Sequence, residues 1–536
     1  MKQRTQITLR VEGMTCDGCA RHVTEALKNV SGVEEARVAG WQVGRATVLA
    51  EAKVADEALV KAVGAAGYHA VVLERRPVEG ERKFPSEGKA DYDLMVIGGG
   101  SAGFAAAIKA AELGAKVAIV EQGTIGGTCV NIGCVPSKTL IRAAEICYKC
   151  AYTDFEGLPS CPPPSDWQRV VKQKDELVAA LRQGKYVDVV KIYPGITLLR
   201  GQAKLTSARS VWINGKMYTP RKIVLATGAS PWAPPIAGMK ETGFLDSTDA
   251  LSLEALPKSM LVIGGGAIGL ELGQLFARFG VSMTVLEAAP RIAPIEEPEI
   301  SEALTKYLED EGVQIHAGLR VTRVERAQDG CCVHIERGGK TETFEAEQIL
   351  VAAGRRPNTQ NLGLEEAGVK VGKRGEILVN EHLQTDNPDI YAAGDCIGEP
   401  MFVYVAAYAG GLAAENALTG AGRIYDLLPL PRVTFTDPQI ASVGLGEAQA
   451  KERGLKVKTA VLQLKDVPRA IVARDTRGLI KLIADAETGK LLGAHVLAAE
   501  AGDVVQEATL AIRFGLTVQD LIETFHAYLT MAEGLK

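Results

Sequence analysis

Two pairs of cysteines have the spacing and surroundings to do chemistry. Cys129 and Cys134 lie five residues apart in GGTCVNIGCVPSK, where a loop runs into a predicted helix. A helix N-terminus lowers the pKa of a thiol, so a reactive thiolate is expected near neutral pH. Two such thiols can carry two electrons as a dithiol and a disulfide, or they can bind a soft metal ion. At this point both chemistries stay open.

The second pair, Cys16 and Cys19, stands in GMTCDGC at the start of another predicted helix. Two thiolates at this spacing suit near-linear coordination of Cu(I) or Hg(II). A lone CxxC is also compatible with half of a zinc site or with a redox pair, but the sequence has no second pair nearby. We therefore predict that Cys16 and Cys19 capture a soft metal.

The other six of the ten cysteines are interpreted as structural. Cys331 and Cys332 are adjacent in CCVHIE, which reads as a strand, so their side chains should point to opposite faces. The remaining four are scattered along the chain: Cys147, Cys150, Cys161 and Cys396.

Two glycine-rich turns, VIGGGSAG and VIGGGAIG, each follow a predicted strand and open a helix. Their glycines allow the pyrophosphate of a dinucleotide to approach the helix N-terminus. An acid closes the second strand of each unit, 23 residues after the first glycine, and can accept hydrogen bonds from a ribose. The sequence thus predicts two dinucleotide sites, built on Gly98, Gly100, Gly103 and Glu121 and on Gly264, Gly266, Gly269 and Glu287.

The acid of the second site bears on the choice of coenzyme. Glu287 would repel a 2′-phosphate, and the nearest arginine, Arg291, lies four residues downstream. The sequence therefore favours NADH over NADPH.

Composition and charge exclude several other classes of protein. The formal net charge is −5 and the chain has no long basic run, so neither nucleic acid nor an anionic membrane is an expected partner. The first residues, MKQRTQITLRVEG, lack the apolar segment of a secretory signal, and apolar stretches elsewhere are too short to span a bilayer. We expect a cytoplasmic protein.

The segment CVNIGC followed by VPSK resembles the active-site signature of the FAD-dependent pyridine nucleotide–disulfide oxidoreductases. The resemblance covers residues 90–536 and extends to IVLATGASP, LVAAGRRPN, TDNPDIYAAGDC and VTFTDPQIASVGL. It implies an α/β protein that binds FAD and NAD(P)H in two Rossmann-like domains and forms a homodimer through an α+β domain. GMTCDGC similarly resembles the heavy-metal-associated domain, which fits the predicted ferredoxin-like βαββαβ order of the first residues.

These resemblances imply a division of the chain. It comprises a heavy-metal-associated domain (1–75), a linker (76–90), the first part of the FAD domain with the redox cysteines (91–240), the NAD(P) domain (241–360), the second part of the FAD domain (361–429) and the dimerisation domain (430–536).

The family resemblance also implies roles for individual residues. Cys134 would face the flavin and Cys129 would meet the substrate, while Lys138 would pair with Glu271 near the flavin and the nicotinamide. The implied flavin contacts are Gly98, Gly100, Gly103, Glu121, Gly127, Thr128, Lys138, Gly228 and Asp395. Those implied for the coenzyme are Gly264, Gly266, Gly269, Glu287 and Gly354.

The substrate is indicated by a departure from the family pattern. Disulfide reductases of this family keep a histidine five residues before a C-terminal glutamate, and counting back from Glu533 gives Tyr528 rather than His526. Without an imidazole, protonation of a leaving thiolate becomes difficult. Tyr528, and with it Tyr186, resembles the branch of the family that reduces Hg(II) to Hg(0) on a dithiol. Cys16, Cys19, Cys129 and Cys134 would then be the metal ligands.

Delivery of the metal and two rival functions complete the expectations. The resemblance implies that Hg(II) arrives on small thiols or from a membrane mercury transporter, and that Tyr528 serves the partner subunit's site. This branch also ends in a tail with two adjacent cysteines. The sequence stops at Lys536, inside a predicted helix, so either the tail is missing from it or the protein lacks this relay. The rivals are a lipoamide dehydrogenase-like disulfide reductase fused to a metal domain and a non-catalytic soft-metal chaperone.

Overall fold

The computed structural model of the chain describes residues 4–14, 17–38, 44–78, 90–153, 155–160 and 166–536. Cys16, the first cysteine of the predicted metal-capturing pair, lies outside these residues. Within the described part of the chain, no helix combines the length and apolar character needed to cross a bilayer.

The amino-terminal unit is an antiparallel sheet of order β2-β3-β1-β4 with two helices. Ile7, Leu9 and Val11 alternate along its first strand and are buried, which is the period-two pattern of a strand with one face in the core. The element order confirms the predicted ferredoxin-like arrangement. The elements are β1 Arg4–Glu12, α1 Asp17–Lys28, β2 Val33–Val38, β3 Arg45–Glu51, α2 Asp56–Ala65 and β4 His69–Val78.

The first nucleotide-type domain is built on a parallel sheet of order β21-β11-β5-β6-β7. Its central strand is buried along its whole length, as expected of a sheet covered on both faces. The elements before the second domain are β5 Leu94–Ile97, α3 Ser101–Glu112, β6 Val117–Glu121, α4 Gly127–Ile132, α5 Cys134–Ala151, α6 Trp167–Arg182, a π-helical turn Gln183–Val187, α7 Asp188–Ile192, β7 Ile196–Arg200, β8 Ala203–Leu205, β9 Val211–Ile213, β10 Lys216–Tyr218, β11 Lys222–Leu225 and β12 Ala229–Pro231.

The second nucleotide-type domain has a parallel sheet of order β15-β14-β13-β19 and an antiparallel meander, β16-β17-β18. Both parallel sheets confirm the predicted pair of dinucleotide-binding folds. The elements are α8 Met239–Thr242, α9 Ser247–Ala250, β13 Ser259–Ile263, α10 Ala267–Arg278, β14 Ser282–Leu286, α11 Pro298–Asp310, β15 Gln314–His316, β16 Arg320–Ala327, β17 Gly330–Arg337, β18 Lys340–Ala346, β19 Gln348–Val351 and β20 Arg355–Pro357.

The chain then returns to the first sheet before it forms the last domain, a five-stranded sheet of order β22-β23-β26-β25-β24 with helices. The predicted C-terminal helix is a short 3-10 helix in the structure. The elements are β21 Ile390–Ala392, a 3-10 turn Asp395–Ile397, α12 Val403–Thr419, β22 Arg432–Thr434, β23 Gln439–Gly444, α13 Glu447–Glu452, β24 Val457–Gln463, a 3-10 turn Leu464–Asp466, α14 Pro468–Ala473, β25 Leu479–Asp485, β26 Leu491–Ala498, α15 Ala501–Phe514, α16 Val518–Glu523 and a 3-10 helix Met531–Leu535.

One hydrophobic cluster holds three domains together beside the cysteine pair. It joins Leu140 of α5 and Trp167 of α6 to Phe276 of α10 and to Ile440 of the last domain. Burial of large apolar side chains is the dominant favourable term in folding, at about 25 cal/mol per Å² of apolar surface removed from water. The helix that carries Cys134 is therefore fixed against the second nucleotide domain.

Candidate redox site

The cysteine pair lies where two short helices meet. Cys129 is in α4, and Cys134 is the first residue of α5, where backbone N–H groups and the helix dipole favour a negative charge. Both are free thiols, and Cys129 is half-buried while Cys134 is exposed. A hydrogen bond from the Cys129 thiol, aided by the charge of Lys138, lowers the pKa of Cys134 to about 6. The same hydrogen bond and burial raise the pKa of Cys129, so the geometry favours one thiolate and one thiol.

The loop between the two cysteines is held by a residue that the sequence reasoning missed. The Asn131 side-chain amide donates to the carbonyls of Ile125 (3.0 Å) and Gly127 (2.9 Å). Its Oδ1 accepts a hydrogen bond from Arg182 of α6 at 3.0 Å. The position of Asn131 between the cysteines of CVNIGC was the available signal.

Lys138 and Glu271 form the ion pair that the family resemblance implies. Lys138 Nζ of α5 lies 2.6 Å from Glu271 Oε2 of α10, and the glutamate side chain is only 6% exposed. Glu271 Oε1 accepts a hydrogen bond from the backbone N–H of Phe435 at 2.8 Å, and Lys138 also lies 5.0 Å from the centre of the Phe435 ring. Three domains therefore meet at this pair, within electrostatic reach of Cys134.

Tyr186 lies close to both the cysteine pair and the first glycine-rich turn. Its hydroxyl is 3.3 Å from Ser101 Oγ, and its ring packs edge-on against Phe104 with a centroid distance of 4.9 Å. Burial raises the pKa of Tyr186, and the charges of both cysteines act in the same direction. The π-helical turn that carries Tyr186 places it at the site, a position that the short local signal in the sequence could not establish.

The first glycine-rich turn has the close backbone packing that a dinucleotide requires. A Cβ added to Gly98 would lie 2.1 Å from the carbonyl oxygen of Ala226, and one on Gly103 would lie 1.9 Å from that of Gly98. A Cβ on Gly127 would lie 2.7 Å from the Cα of Gly100. The neighbouring backbone leaves no room for side chains at these positions, so the turn can come close to a pyrophosphate at the helix N-terminus.

The second glycine-rich turn repeats this construction. A Cβ on Gly264 would lie 2.5 Å from the carbonyl oxygen of Ala352, and one on Gly269 would lie 1.9 Å from that of Gly264. Gly266 caps α10 and has no atom within 4 Å of an added Cβ, which leaves room in front of the helix. The residues present therefore fit a second dinucleotide.

The two predicted ribose-binding acids are anchored to the turns themselves. Glu121 accepts hydrogen bonds from the backbone N–H groups of Gly99 (2.8 Å) and Gly123 (2.6 Å). Glu287 accepts one from Gly265 at 2.5 Å. Each carboxylate is thereby fixed at the carboxyl end of its strand, and its remaining lone pairs can accept hydrogen bonds from hydroxyl groups.

The remaining residues assigned to the cofactors are Asp395, Gly228, Gly354 and Thr128. Burial raises the pKa of Asp395, against the influence of the Arg355 guanidinium. Gly228 (φ +71°) and Gly354 (φ +124°) adopt left-handed or related backbone conformations with no atom within 4 Å of an added Cβ. Thr128 lies in α4 directly after the Gly127 turn. Arg355 was missed by the sequence reasoning, and it also lies within electrostatic reach of Cys134.

Among the described residues, we find no contact between the C-terminal residues Tyr528 and Glu533 and the cysteine pair of the same chain. Tyr528 is 76% exposed. Glu533 Oε2 accepts a hydrogen bond from the Leu529 N–H at 3.3 Å, while its Oε1 is buried without a hydrogen-bond partner. His526 is engaged elsewhere, because its Nε2 lies 2.6 Å from Glu507 Oε1 and its side chain is 4% exposed.

Cys19 lies in the first turn of α1, where its partly exposed side chain packs against the core of the amino-terminal unit. A helix start is the position that the sequence predicts for it.

The ionisation of Cys134 leads to a testable prediction. Its alkylation by iodoacetamide is expected to rise with pH through a midpoint near 6, because the reactive thiolate is populated above the pKa of about 6 and lost below it. Lys138→Met should move this midpoint upwards, since it removes a positive charge. The measurement is the amount of modified peptide by mass spectrometry. Lys149→Met removes a charge from the far end of the same helix and should leave the midpoint in place; an equal effect of both variants would contradict the assignment.

Comparisons with known proteins agree with this geometry. Residues 92–410 match the family model of the pyridine nucleotide-disulphide oxidoreductases, residues 430–536 match the dimerisation domain of that family, and residues 8–69 match the heavy-metal-associated domain. The mercuric reductase of Staphylococcus aureus is 48% identical over 529 residues, which are 98% of this chain and 95% of the relative. That of Bacillus cereus is 47% identical over 534 residues, which are 98% of this chain and 84% of the relative.

Solved structures point to the same fold. The HOCl-induced flavoprotein disulfide reductase RclA from Escherichia coli matches with a TM-score of 0.74 at 32% identity, covering 83% of this chain and 98% of that chain.

Proposed function

The chain belongs to the pyridine nucleotide-disulphide oxidoreductase family, and from that premise we propose that it reduces Hg(II) to Hg(0) with electrons from NAD(P)H. The observation that carries the proposal is the Cys129–Cys134 pair, in which a hydrogen bond from the Cys129 thiol lowers the pKa of Cys134 to about 6. Relatives at 47–48% identity over almost the whole chain are mercuric reductases. The protein is an oxidoreductase, and the metal ion is its substrate.

The residues that would hold the cofactors are those of the two glycine-rich turns. Gly98, Gly103 and Glu121 would bind FAD, and Gly264 and Glu287 would bind the nicotinamide coenzyme. When bound, FAD would supply the means to convert the hydride of NAD(P)H into an electron pair for Hg(II) held by the two thiolates. Lys138 is held by Glu271 so that its positive charge stabilises the Cys134 thiolate.

Hg(II) is a soft ion that prefers thiolates, and two of them suit its near-linear coordination. Cys134 offers a thiolate near neutral pH, and loss of the Cys129 proton on binding supplies the second. Two electrons convert the bound Hg(II) to Hg(0), so that NAD(P)H and Hg(II) yield NAD(P)⁺, a proton and Hg(0). Tyr186, whose hydroxyl lies 3.3 Å from Ser101 Oγ, would guide the ion in the same chain. Tyr528 would do so for the partner subunit's pair, which requires a homodimer.

The lipoamide dehydrogenase-like alternative requires a histidine that can protonate a leaving thiolate. His526 is the histidine nearest to Tyr528 in the sequence, and its contact with Glu507 withholds it from that role. A phenol is in general a much weaker acid than an imidazolium, so a tyrosine in this position is a poor substitute for the histidine. Reduction of a metal ion, which needs no such proton, is therefore favoured over disulfide reduction.

We also propose that NADH is the preferred coenzyme. Arg291, the arginine closest in sequence to Glu287, donates to the backbone carbonyls of Pro294 (3.2 Å) and Glu296 (2.9 Å). It is thus engaged by its own loop, whereas Glu287 would repel a 2′-phosphate. A higher kcat/KM for NADPH than for NADH would contradict this preference.

The central experiment is an anaerobic assay with Hg(II), excess small thiol and either coenzyme, in which volatile Hg(0) is trapped and quantified. One Hg(0) is expected for each NAD(P)H oxidised. The same enzyme should show little coenzyme oxidation with lipoamide or oxidised glutathione. Absence of Hg-dependent oxidation would refute the proposed function, and rapid disulfide turnover would support the lipoamide dehydrogenase-like alternative.

A separate prediction concerns the amino-terminal unit as a carrier of Hg(II). The double variant Cys16→Ser/Cys19→Ser should retain most activity in excess thiol, because Hg(II) then reaches Cys129 on the small thiol. When thiol is scarce, its rate should fall several-fold below that of the unmodified chain, since the ion must be transferred between protein thiolates. Hg(II)-dependent coenzyme oxidation at several thiol concentrations measures this. Equal loss at all thiol concentrations would show that the pair acts otherwise than by delivery.

A further inference from the structure

We infer a second metal site, separate from the redox centre, on the β16-β17-β18 meander. Glu325, Cys332 and His334 form a binding site for a divalent cation that accepts sulfur, nitrogen and oxygen ligands. Zn(II) fits these ligands best. Their Sγ, imidazole nitrogen and carboxylate oxygen atoms all lie within 4.8 Å of one another. The proposed function does not use these residues.

Strand register brings the three ligands together. Cys332 and His334 are two residues apart on β17, so they point to the same face of the sheet. Glu325 of β16 lies directly opposite Cys332. Side chains directly opposite each other on antiparallel strands have Cβ atoms about 4.5–5.5 Å apart, close enough to share one ion. The arrangement is thus a product of strand pairing.

The neighbouring cysteine shows that this placement is selective. Cys331 points to the other face of β17, is 4% exposed and donates its thiol to the Ala346 carbonyl at 3.1 Å. Cys332 is half-exposed and lies 3.9 Å from His334 Nε2. The sequence interpretation placed both cysteines in structural roles, and it did not consider the histidine two residues on.

The observed distances suit a tetrahedral ion. Zn–S bonds of about 2.3 Å and Zn–N or Zn–O bonds of about 2.1 Å place sulfur and nitrogen about 3.6 Å apart and nitrogen and oxygen about 3.4 Å apart. Cys332 Sγ and His334 Nε2 are 3.9 Å apart, and His334 Nε2 and Glu325 Oε1 are 2.9 Å apart. Small rotations of partly exposed side chains, with loss of the shared protons, would admit the ion. A solvent molecule would complete the fourth position.

Local charge also favours a cation. Glu345 lies opposite Cys332 on the third strand of the meander, so two carboxylates flank the thiol. The carboxylate of Glu325 is shared, because Arg323 contacts Oε2 at 2.6 Å while Oε1 faces His334. One oxygen therefore stays available as a ligand when the other is paired.

The test uses the full-length, flavin-loaded enzyme with the other metal-binding thiols removed from competition. In a Cys16→Ser/Cys19→Ser background with Cys129 and Cys134 oxidised to a disulfide, Zn(II) is titrated against a chromophoric chelator, and Co(II) binding is followed by its thiolate charge-transfer absorption. One tight equivalent of metal is expected, with a sulfur-to-cobalt band. Retained flavin absorbance shows that each protein is folded.

Cys332→Ser should remove the band and weaken binding by more than about 100-fold, because even changes outside the ligand set cost about 10- to 100-fold in metal affinity. Cys331→Ala is the matched control. It removes the adjacent thiol but should leave unchanged both the thiolate-to-cobalt absorption band and the one equivalent of tightly bound metal. If Cys332→Ser does not fold, His334→Gln decides in its place. Unchanged binding in the ligand variant, or loss of the band in Cys331→Ala, would overturn the site.

Discussion

Replacing Cys134 with serine is expected to lower kcat/KM for Hg(II) reduction by at least about 10³-fold, equivalent to about 4 kcal/mol of transition-state stabilisation. A serine hydroxyl neither ionises near neutral pH nor binds a soft ion well, so both the thiolate and one metal ligand are lost. The Cys129–Cys134 hydrogen bond, which lowers the pKa of Cys134 to about 6, is lost with it. Trapped Hg(0) and Hg-dependent coenzyme oxidation measure the effect.

Cys150→Ser is the matched control for this variant. Cys150 is an exposed thiol on the same helix, α5, and among the described residues no contact connects it to the reactive pair. Its loss should change kcat/KM by less than about twofold, as expected for a surface substitution away from the site. Flavin content and flavin reduction by the coenzyme should be unaffected in both variants. Residual Hg(II) reduction in Cys134→Ser within tenfold of the unmodified enzyme would contradict the assigned role.

The second large effect is expected on stability, from Arg278→Met. Arg278 is 3% exposed and lies 2.7 Å from Glu311 and 2.9 Å from Asp437, so it joins α10 to the dimerisation domain. Removing one partner from a buried charge cluster leaves a carboxylate uncompensated, at a cost of about 3–5 kcal/mol. Arg477 also contacts Glu311, at 3.1 Å, which places the expected loss in unfolding free energy at the lower end of this range. Urea unfolding followed by tryptophan fluorescence measures it, because Trp167 packs against Phe276, two residues before Arg278.

Arg320→Met provides the corresponding surface control. Arg320 lies 2.5 Å from Glu336, but the two side chains are 73% and 47% exposed. Exposed ion pairs contribute about 0.2–1 kcal/mol, so this variant should be nearly neutral. Adding Glu311→Leu to Arg278→Met should restore part of the lost stability, since the uncompensated charge is then gone. Equal effects of the buried and exposed arginine variants would show that the cluster does not hold the domains together.

Features that depend on short segments could be predicted from the sequence. Each glycine-rich turn has a local requirement, because a Cβ on Gly103 or Gly269 would lie 1.9 Å from the carbonyl oxygen of the glycine five residues earlier. The cysteine pair is local as well, because Cys134 occupies the first turn of its own helix. The ferredoxin-like unit follows from the alternation of buried residues in strands such as β1 and from helical spacing between the strands. Local geometry and hydrophobic periodicity therefore predicted the two dinucleotide folds and a reactive dithiol, while the choice of a metal ion as substrate rested on the resemblance to the family.

Contacts between distant segments were decided by the tertiary structure. Lys138 and Glu271 are 133 positions apart, and only the packing of α5 on α10 brings their charges within 2.6 Å. The Arg278 cluster depends on the docking of the last domain, and the grouping of Glu325 with Cys332 depends on the register of two strands. The sequence specifies the chemical groups of the side chains, but packing and strand pairing set the distances between them. The sequence by itself determined which groups could react, and the tertiary structure decided which of them meet.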